Sequence, residues 1–250
     1  MSDRVEIMGC CIDNLSMEET LLKIENFIRS GEPHQHGVVN VDKVVKASRD
    51  PELRRIINQC ALVSADGMPV VWASRLLGKS LKERVTGVDL FEALVKRSAV
   101  RGWRVFFLGG REEVVRAVAA HYGRILPRLQ VAGYRNGYWK PEEEAGVARL
   151  IADSRPHLLF VAISSPQKER FLGRYQAEMK VPFAMGIGGT FDVVAGRVKR
   201  APMWMRKWSL EWFYRFLQEP RRMFRRYFID DMQFFWLLFK ELSRKLTRSA

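Results

Sequence analysis

The chain has 250 residues, 47% of them hydrophobic, and carries 42 Lys or Arg against 28 Asp or Glu, a formal net charge of +14. That is too much apolar material for a disordered chain and enough for one large or two closely packed domains. An isoelectric point near 10.0 calls for an anionic partner: nucleic acid, anionic lipid or a phosphorylated substrate.

The N-terminal stretch MSDRVEIMGCCIDNLSMEET has no basic leader before a long apolar run, so it is not read as a signal peptide. Cys10, Cys11 and Cys60 show no zinc-like spacing and fit a reduced, cytoplasmic setting. Val5–Cys11 reads as a strand. Ser16 with Glu19 forms a capping box that opens a helix to Ile28. Strand Gly37–Val41 leads to helices Asp42–Ser48 and Pro51–Gln59. Strand Ala61–Ser64 ends at Asp66-Gly67, and helices start at Met68 and span Val88–Val100. Then come strand Arg104–Leu108, helix Glu112–Ile125, strand Gln130–Tyr134 and helix Pro141–Ser154. Strand His157–Ile163, helix Gln167–Ala177 and strand Pro182–Gly186 complete the series. Such alternation, with apolar runs such as VFFL and LLFVAI, predicts an α/β fold: a Rossmann-like, mainly parallel sheet with helices on both faces.

Several loops at strand C-termini carry candidate chemistry, because that edge lines the crevice of an open α/β sheet. Gly109-Gly110 is either a phosphate-approaching turn or an ordinary tight βα turn. Gly188, Gly189 and Asp192 in MGIGGTFD suit a nucleotide, with Asp192 accepting from ribose or base; a helix-start Asp is the plainer reading. The segment is not GxGxxG, which argues against NAD. In GYRNGYWKP, Asn136 and Tyr138 can meet a base, although a hairpin with surface aromatics explains them too. Asp66 is either a general base or a turn residue. Ser165-Pro166-Gln167 follow the strand LLFVAIS, which sets Gln167 to touch substrate, while Pro166 as the first residue of a helix explains the proline but not the glutamine. Asn40 ends the second strand at the same edge. Arg84, Thr86 and Asp89 lie in a loop leading into a capped helix.

Beyond Ala201-Pro202 the composition turns basic and aromatic, so residues 1–200 are assigned to an α/β core and 201–250 to a helical appendage. From Lys199 to Ala250, thirteen Lys or Arg face five Asp or Glu, and four of the seven Trp lie here. Trp204, Trp208, Trp212 and Phe216 recur every four residues, predicting one helical stripe that includes Arg215. Pro220 breaks or restarts the helix. Arg222, Arg225 and Arg226 follow, suited to bidentate phosphate contact. Rings beside arginines fit a membrane interface, and Met232–Phe239 is far short of the roughly 20 residues that span a bilayer. Any membrane contact is therefore expected to be peripheral.

Taken together, NVDKVV, ADGMPVVW, ERVTGVDL, VFFLGG, SSPQKE, GIGGTFDVVAGRVKRAP and SLEWFYRFLQEPRRMFRRY resemble the WecG/TagA/CpsF family of bacterial glycosyltransferases, in order from about residue 5 to 230. The resemblance implies inverting transfer of a sugar from a UDP-sugar to a polyprenyl-diphosphate-linked saccharide. The setting implied is the cytoplasmic membrane face, in synthesis of teichoic acid, enterobacterial common antigen or exopolysaccharide. N-acetylmannosamine, its uronic acid and glucose are all compatible donors. It also implies a Rossmann-like core with a C-terminal membrane-docking appendage. Asp66 corresponds to the family's proposed base, and Asn40 and Gln167 to residues lining its pocket. The glycine turns, Asn136, Tyr138 and Asp192 would lie near UDP. Arg215, Arg222 and Arg225 match appendage arginines thought to meet diphosphate. Some members carry Thr two residues before the Asn, where this chain has Val38. No Asp-X-Asp occurs, so no metal or other cofactor is expected, with arginines and backbone N–H groups in its place. The implied partners are the donor, the acceptor and an anionic membrane, without nucleic acid; the family includes oligomers, and an apolar tail can self-associate. A basic nucleic-acid-binding protein and a non-catalytic scaffold of a polysaccharide assembly complex are the alternatives weighed.

Overall fold

A computed structural model describes residues 4–208, 210–225, 227 and 231–249, and their side chains except at 207, 222, 225, 246, 248 and 249. The segment read as one strand is a hairpin, β1 (Arg4–Ile7) and β2 (Cys10–Asp13), antiparallel. Met8 and Gly9 turn the chain with φ of 48° and 81°, which a continuous strand does not allow. Helix α1 (Met17–Ser30) starts at the capping box: Glu19 N donates to Ser16 Oγ and Ser16 N to the Glu19 carboxylate.

Six parallel strands form the sheet: β3 (His34–Val39), β4 (Leu62–Ala65), β5 (Arg104–Gly109), β6 (Gln130–Arg135), β7 (Leu158–Ala162) and β8 (Phe183–Gly186). Their spatial order is β4-β3-β8-β7-β5-β6. The helices between them are α2 (Val41–Arg49), α3 (Pro51–Gln59), α4 (Met68–Leu76), α5 (Gly87–Arg101), α6 (Glu112–Ile125), α7 (Glu144–Ser154) and α8 (Gln167–Met179), with α9 (Thr190–Val194) after β8. The apolar runs bury both faces. Phe107, Phe160 and Met185 point with α1, α5 and α6 to one side, while Phe106, Val161 and Ala184 point with α7 and α8 to the other. GYRNGYWKP is no hairpin: β6 pairs with β5 alone, in parallel, and the segment ends an edge strand.

The hairpin shields the opposite edge. The buried Asp13 carboxylate accepts the Val63 N–H of β4 at 2.8 Å and pairs with Lys23 and Arg4. Burial disfavours its ionisation, but the two cations and the N–H prevail and hold its pKa below the usual carboxylate range. The three cysteines are free; burial raises Cys10 to about 11 and Cys60 to about 12, so neither is a ready nucleophile.

The C-terminal segment comprises α10 (Met203–Lys207), α11 (Glu211–Gln218), α12 (Pro220–Arg225) and α13 (Met232–Ser249). The expected single stripe is therefore split between two helices, α10 ending at Lys207 and α11 beginning at Glu211. Pro220 starts α12, as its fixed φ and missing N–H favour. Among the described residues no helix is long and apolar enough to cross a membrane.

Candidate active site

Strands β3 and β8 lie side by side, but their chains leave in opposite directions. After β3 the chain enters α2, packed on the face shared with α3 and α8. After β8 it enters α9, whose Phe191 joins the cluster on the other face. Chains that diverge at a strand edge open a crevice, and ligands of such sheets bind there. Asn40, Asp66, Ser165–Gln167 and Gly188–Gly189 all lie at this edge. A separate cleft of about 410 Å³, lined by His34, Glu52, Arg55 and Arg174, opens toward the N-terminal ends of β3 and β4, away from these residues.

Asp66 follows β4 and is fixed by its N–H to Val39 O at 2.8 Å. Its carboxylate accepts the Gly87 N–H at the start of α5. A Cβ at Gly87 would stand 3.7 Å from Asp66 Oδ2, an ordinary contact, so the backbone N–H and not the missing side chain makes this position fit. Burial pushes the Asp66 pKa up. The Gly87 N–H and Arg84 oppose the rise, while Glu211 and Asp89 add to it. A carboxylate with raised pKa at a sheet edge is suited to accept a proton.

Asn40 caps α2, its Oδ1 accepting Lys43 N at 2.9 Å, which leaves its Nδ2 protons for a ligand. Gln167 opens α8 and is exposed, with Pro166 as N-cap rather than first helical residue. Beneath these two residues lies a buried charge cluster. Lys43 of α2 pairs directly with Glu169 of α8, and Lys168 stands 3.9 Å from the same oxygen. Burial works against ionising Glu169, but Lys43 and Lys168 override it and hold its pKa low. Burial drives Lys168 down to about 8, aided by Lys43 and opposed by Glu169 and Asp66.

The two glycine turns differ. At Gly109, with φ of 124°, a Cβ would strike the Ala162 backbone, and Gly110 N already donates to Ala162 O at 3.1 Å. Close backbone crossing requires Gly109, and a left-handed φ of 68° favours glycine at 110, so packing and local geometry account for the pair. Gly137 N donates to Gly110 O, so the Asn136–Tyr138 loop rests on that turn. Asn136 is engaged within it, donating to Glu112 and accepting from Tyr138 N, while the Tyr138 ring is exposed. By contrast, a Cβ on Gly188 would meet nothing within 4 Å, and one on Gly189 only Arg215 Nη2, at 3.6 Å. This second turn is the open one. Asp192 lies in α9, just beyond it.

Arg215 reaches the turn from α11, which buries no residue of its own. Charge holds α11 instead: Arg200 pairs with Asp89 and Glu92 of α5 and stands 3.6 Å from Glu211. Trp204, Trp208, Trp212 and Trp236 face solvent, as does Trp72 of α4. Helix α13 returns to the core, burying Phe234 and Leu238, with Lys245 bonded to Leu77 O at 2.9 Å. The backbones of Arg222 and Arg225 lie in α12, their side chains outside the described ones; Arg226 lies outside the described residues.

Sequence reading named Arg84 and Asp89 only as loop residues and missed Lys43, Lys168, Glu169, Arg200 and Glu211. For Lys43, Lys168 and Glu169 the available signal was a Lys or Glu in the first turn of a helix that follows a central strand, where solvent exposure is the default expectation; Arg200, outside any helix, and Glu211, opening α11, carried none. No group of three His, Cys, Asp or Glu side chains positioned to hold a metal ion occurs among the described residues.

The glycosyl transferase WecG/TagA/CpsF family profile matches residues 5–248. The N-acetylglucosaminyldiphosphoundecaprenol N-acetyl-beta-D-mannosaminyltransferase of Bacillus spizizenii (strain ATCC 23059 / NRRL B-14472 / W23) is 37% identical over 177 residues, 71% of this chain and 68% of the relative. The protein of the same name from Bacillus subtilis (strain 168) is 34% identical over 184 residues, 74% of this chain and 71% of the relative. With this crevice at the strand edge and a match across nearly its whole length, the chain belongs to the WecG/TagA/CpsF family of glycosyltransferases.

Proposed function

We propose that the protein transfers a sugar, with inversion, from a UDP-sugar to a polyprenyl-diphosphate-linked saccharide at the inner membrane face, in cell-surface polysaccharide synthesis. The names of both Bacillus relatives favour N-acetylmannosamine as the sugar and an N-acetylglucosamine-capped undecaprenyl diphosphate as the acceptor. One juxtaposition carries the reading: Asp66 and Gly188–Gly189 follow strands at the same edge of one sheet, Glu211 of α11 acts on the Asp66 carboxylate, and Arg215 of the same helix stands 3.6 Å from a Cβ at Gly189.

Asp66 takes the proton of the acceptor hydroxyl as that oxygen attacks the anomeric carbon. The bond to the UDP oxygen breaks on the opposite side. The departing diphosphate gathers negative charge, which Arg215 and backbone N–H groups of the turn neutralise without a metal ion. Asn40 and Gln167 orient the sugars by hydrogen bonds. The exposed tryptophans of α4, α10, α11 and α13 rest at headgroup depth, and the tail arginines meet lipid phosphate.

The test is a transfer assay with UDP-N-acetylmannosamine and a short-chain prenyl-diphosphate N-acetylglucosamine, the product anomer read by NMR. Asp66→Asn and Arg215→Ala, both folded, are each expected to lose at least about a hundredfold in kcat. Near-normal rates in both would sink the assignment.

A further inference from the structure

The buried cluster below Asn40 and Gln167 does not balance its own charge. Lys43 and Lys168 share the single carboxylate of Glu169. Lys43 bonds that carboxylate directly. Lys168 does not: its ammonium lies 3.9 Å away, beyond hydrogen-bond reach, and it makes no other ion pair among the described residues. Its side chain is only 10% exposed. A desolvated ammonium without an acceptor is costly unless a ligand supplies one. Asp66 lies within its field but already faces Arg84 and accepts the Gly87 N–H.

Lys168 packs on Gly186, the last residue of β8. A Cβ at Gly186 would stand 2.9 Å from Lys168 Cε and 3.6 Å from its Nζ. Arg215 Nη2 stands the same 3.6 Å from a Cβ at Gly189. Lys168 of α8 thus lies against Gly186, the first of residues 186–189, and Arg215 of α11 against Gly189, the last. Three of the four are glycines, so no side chain at those positions screens either cation.

We infer that Lys168 is a second diphosphate ligand, gripping the donor's phosphates from the core side of the Gly186–Gly189 turn while Arg215 grips them from the appendage side. The inference rests on the proposed UDP-sugar reaction and adds a residue to it. The core alone then recognises the diphosphate, before α11 completes the charge.

Calorimetric titration of UDP and of uridine into the wild type, Lys168→Met, Lys168→Arg and Gly186→Ala tests this. Lys168→Met is expected to weaken UDP at least about tenfold and to leave uridine unchanged, since one charge-assisted contact is lost. Lys168→Arg restores most of the affinity. Gly186→Ala keeps the charge but pushes the lysine stem aside, so it also weakens UDP, which covers the case in which Lys168→Met fails to fold. Wild-type affinity is expected to fall from pH 7 to 9 as the ammonium, facing Lys43, Lys46, Glu169 and Asp66, loses its proton; the Arg variant stays flat. Wild-type UDP binding with Lys168→Met or Gly186→Ala within twofold of it overturns the inference and spares the reaction. Failure of the wild type to bind UDP overturns both.

Discussion

Glu169→Gln is the most informative perturbation of the fold beneath the site. Among the described residues Glu169 is the only anion contacting the Lys43 ammonium, and these side chains are 8% and 6% exposed. Glutamine keeps the shape and one acceptor but removes the charge, stranding two buried ammonium groups. Removing one partner of a buried pair costs about 3–5 kcal/mol. The penalty has a ceiling, because a stranded lysine can shed its proton. For an ordinary lysine of pKa about 10.4, neutralisation at pH 7 costs about 5 kcal/mol, at about 1.4 kcal/mol per pH unit. The expected loss at pH 7 is therefore about 3–5 kcal/mol, read by urea unfolding with tryptophan fluorescence and circular dichroism. The sign with pH follows. Native lysines that titrate below their unfolded value bind fewer protons than the unfolded chain, so stability rises with pH. The variant's deficit should shrink between pH 7 and 10. Because the cluster joins the first turns of α2 and α8, which carry Asn40 and Gln167, transfer activity should fall with stability. A loss below about 1 kcal/mol at pH 7, typical of an exposed pair, would refute this reasoning.

Asp13→Asn tests the edge of the sheet. The Asp13 pKa is depressed, so its contribution is present above the ordinary carboxylate range and is lost as pH falls through the depressed value. Thermal melts from pH 6 to pH 2 should fall less steeply for the variant than for the wild type; parallel curves would reject the account. At the other end of the molecule, Trp204→Ala with Trp208→Ala should weaken binding to anionic vesicles by about tenfold or more, through lost burial at headgroup depth. High salt should weaken it further. Vesicle flotation measures this, and preference of the wild type for RNA or DNA over vesicles would favour a nucleic-acid partner instead.

Local chemistry made most of the core legible. The capping box at Ser16, the Pro51 helix start and the apolar runs of β5 and β7 need only nearest neighbours and burial on both faces. The Met8-Gly9 turn was missed because its left-handed residues interrupt an otherwise unbroken β-forming run. The tail stripe was over-extended because four-residue spacing of rings persists from α10 into α11, and spacing alone does not register that one helix ends and another begins. Gly109-Gly110 and Gly188-Gly189 look alike in sequence. One is occupied by the Ala162 backbone and the other is open beside Arg215, a difference set by strands far apart in the chain.

Residue order alone determined a parallel α/β sheet, its strand-end loops and a cationic, ring-rich tail, because periodicity and turn chemistry are local. Only the tertiary structure decided which loops share a crevice, that α11 reaches the Gly189 turn, and that Lys43, Lys168 and Glu169 are buried together. Those facts depend on strand order and crossover direction, which bring together residues 43 and 169, or 189 and 215, and on the loss of water that turns ordinary surface charges into a coupled site.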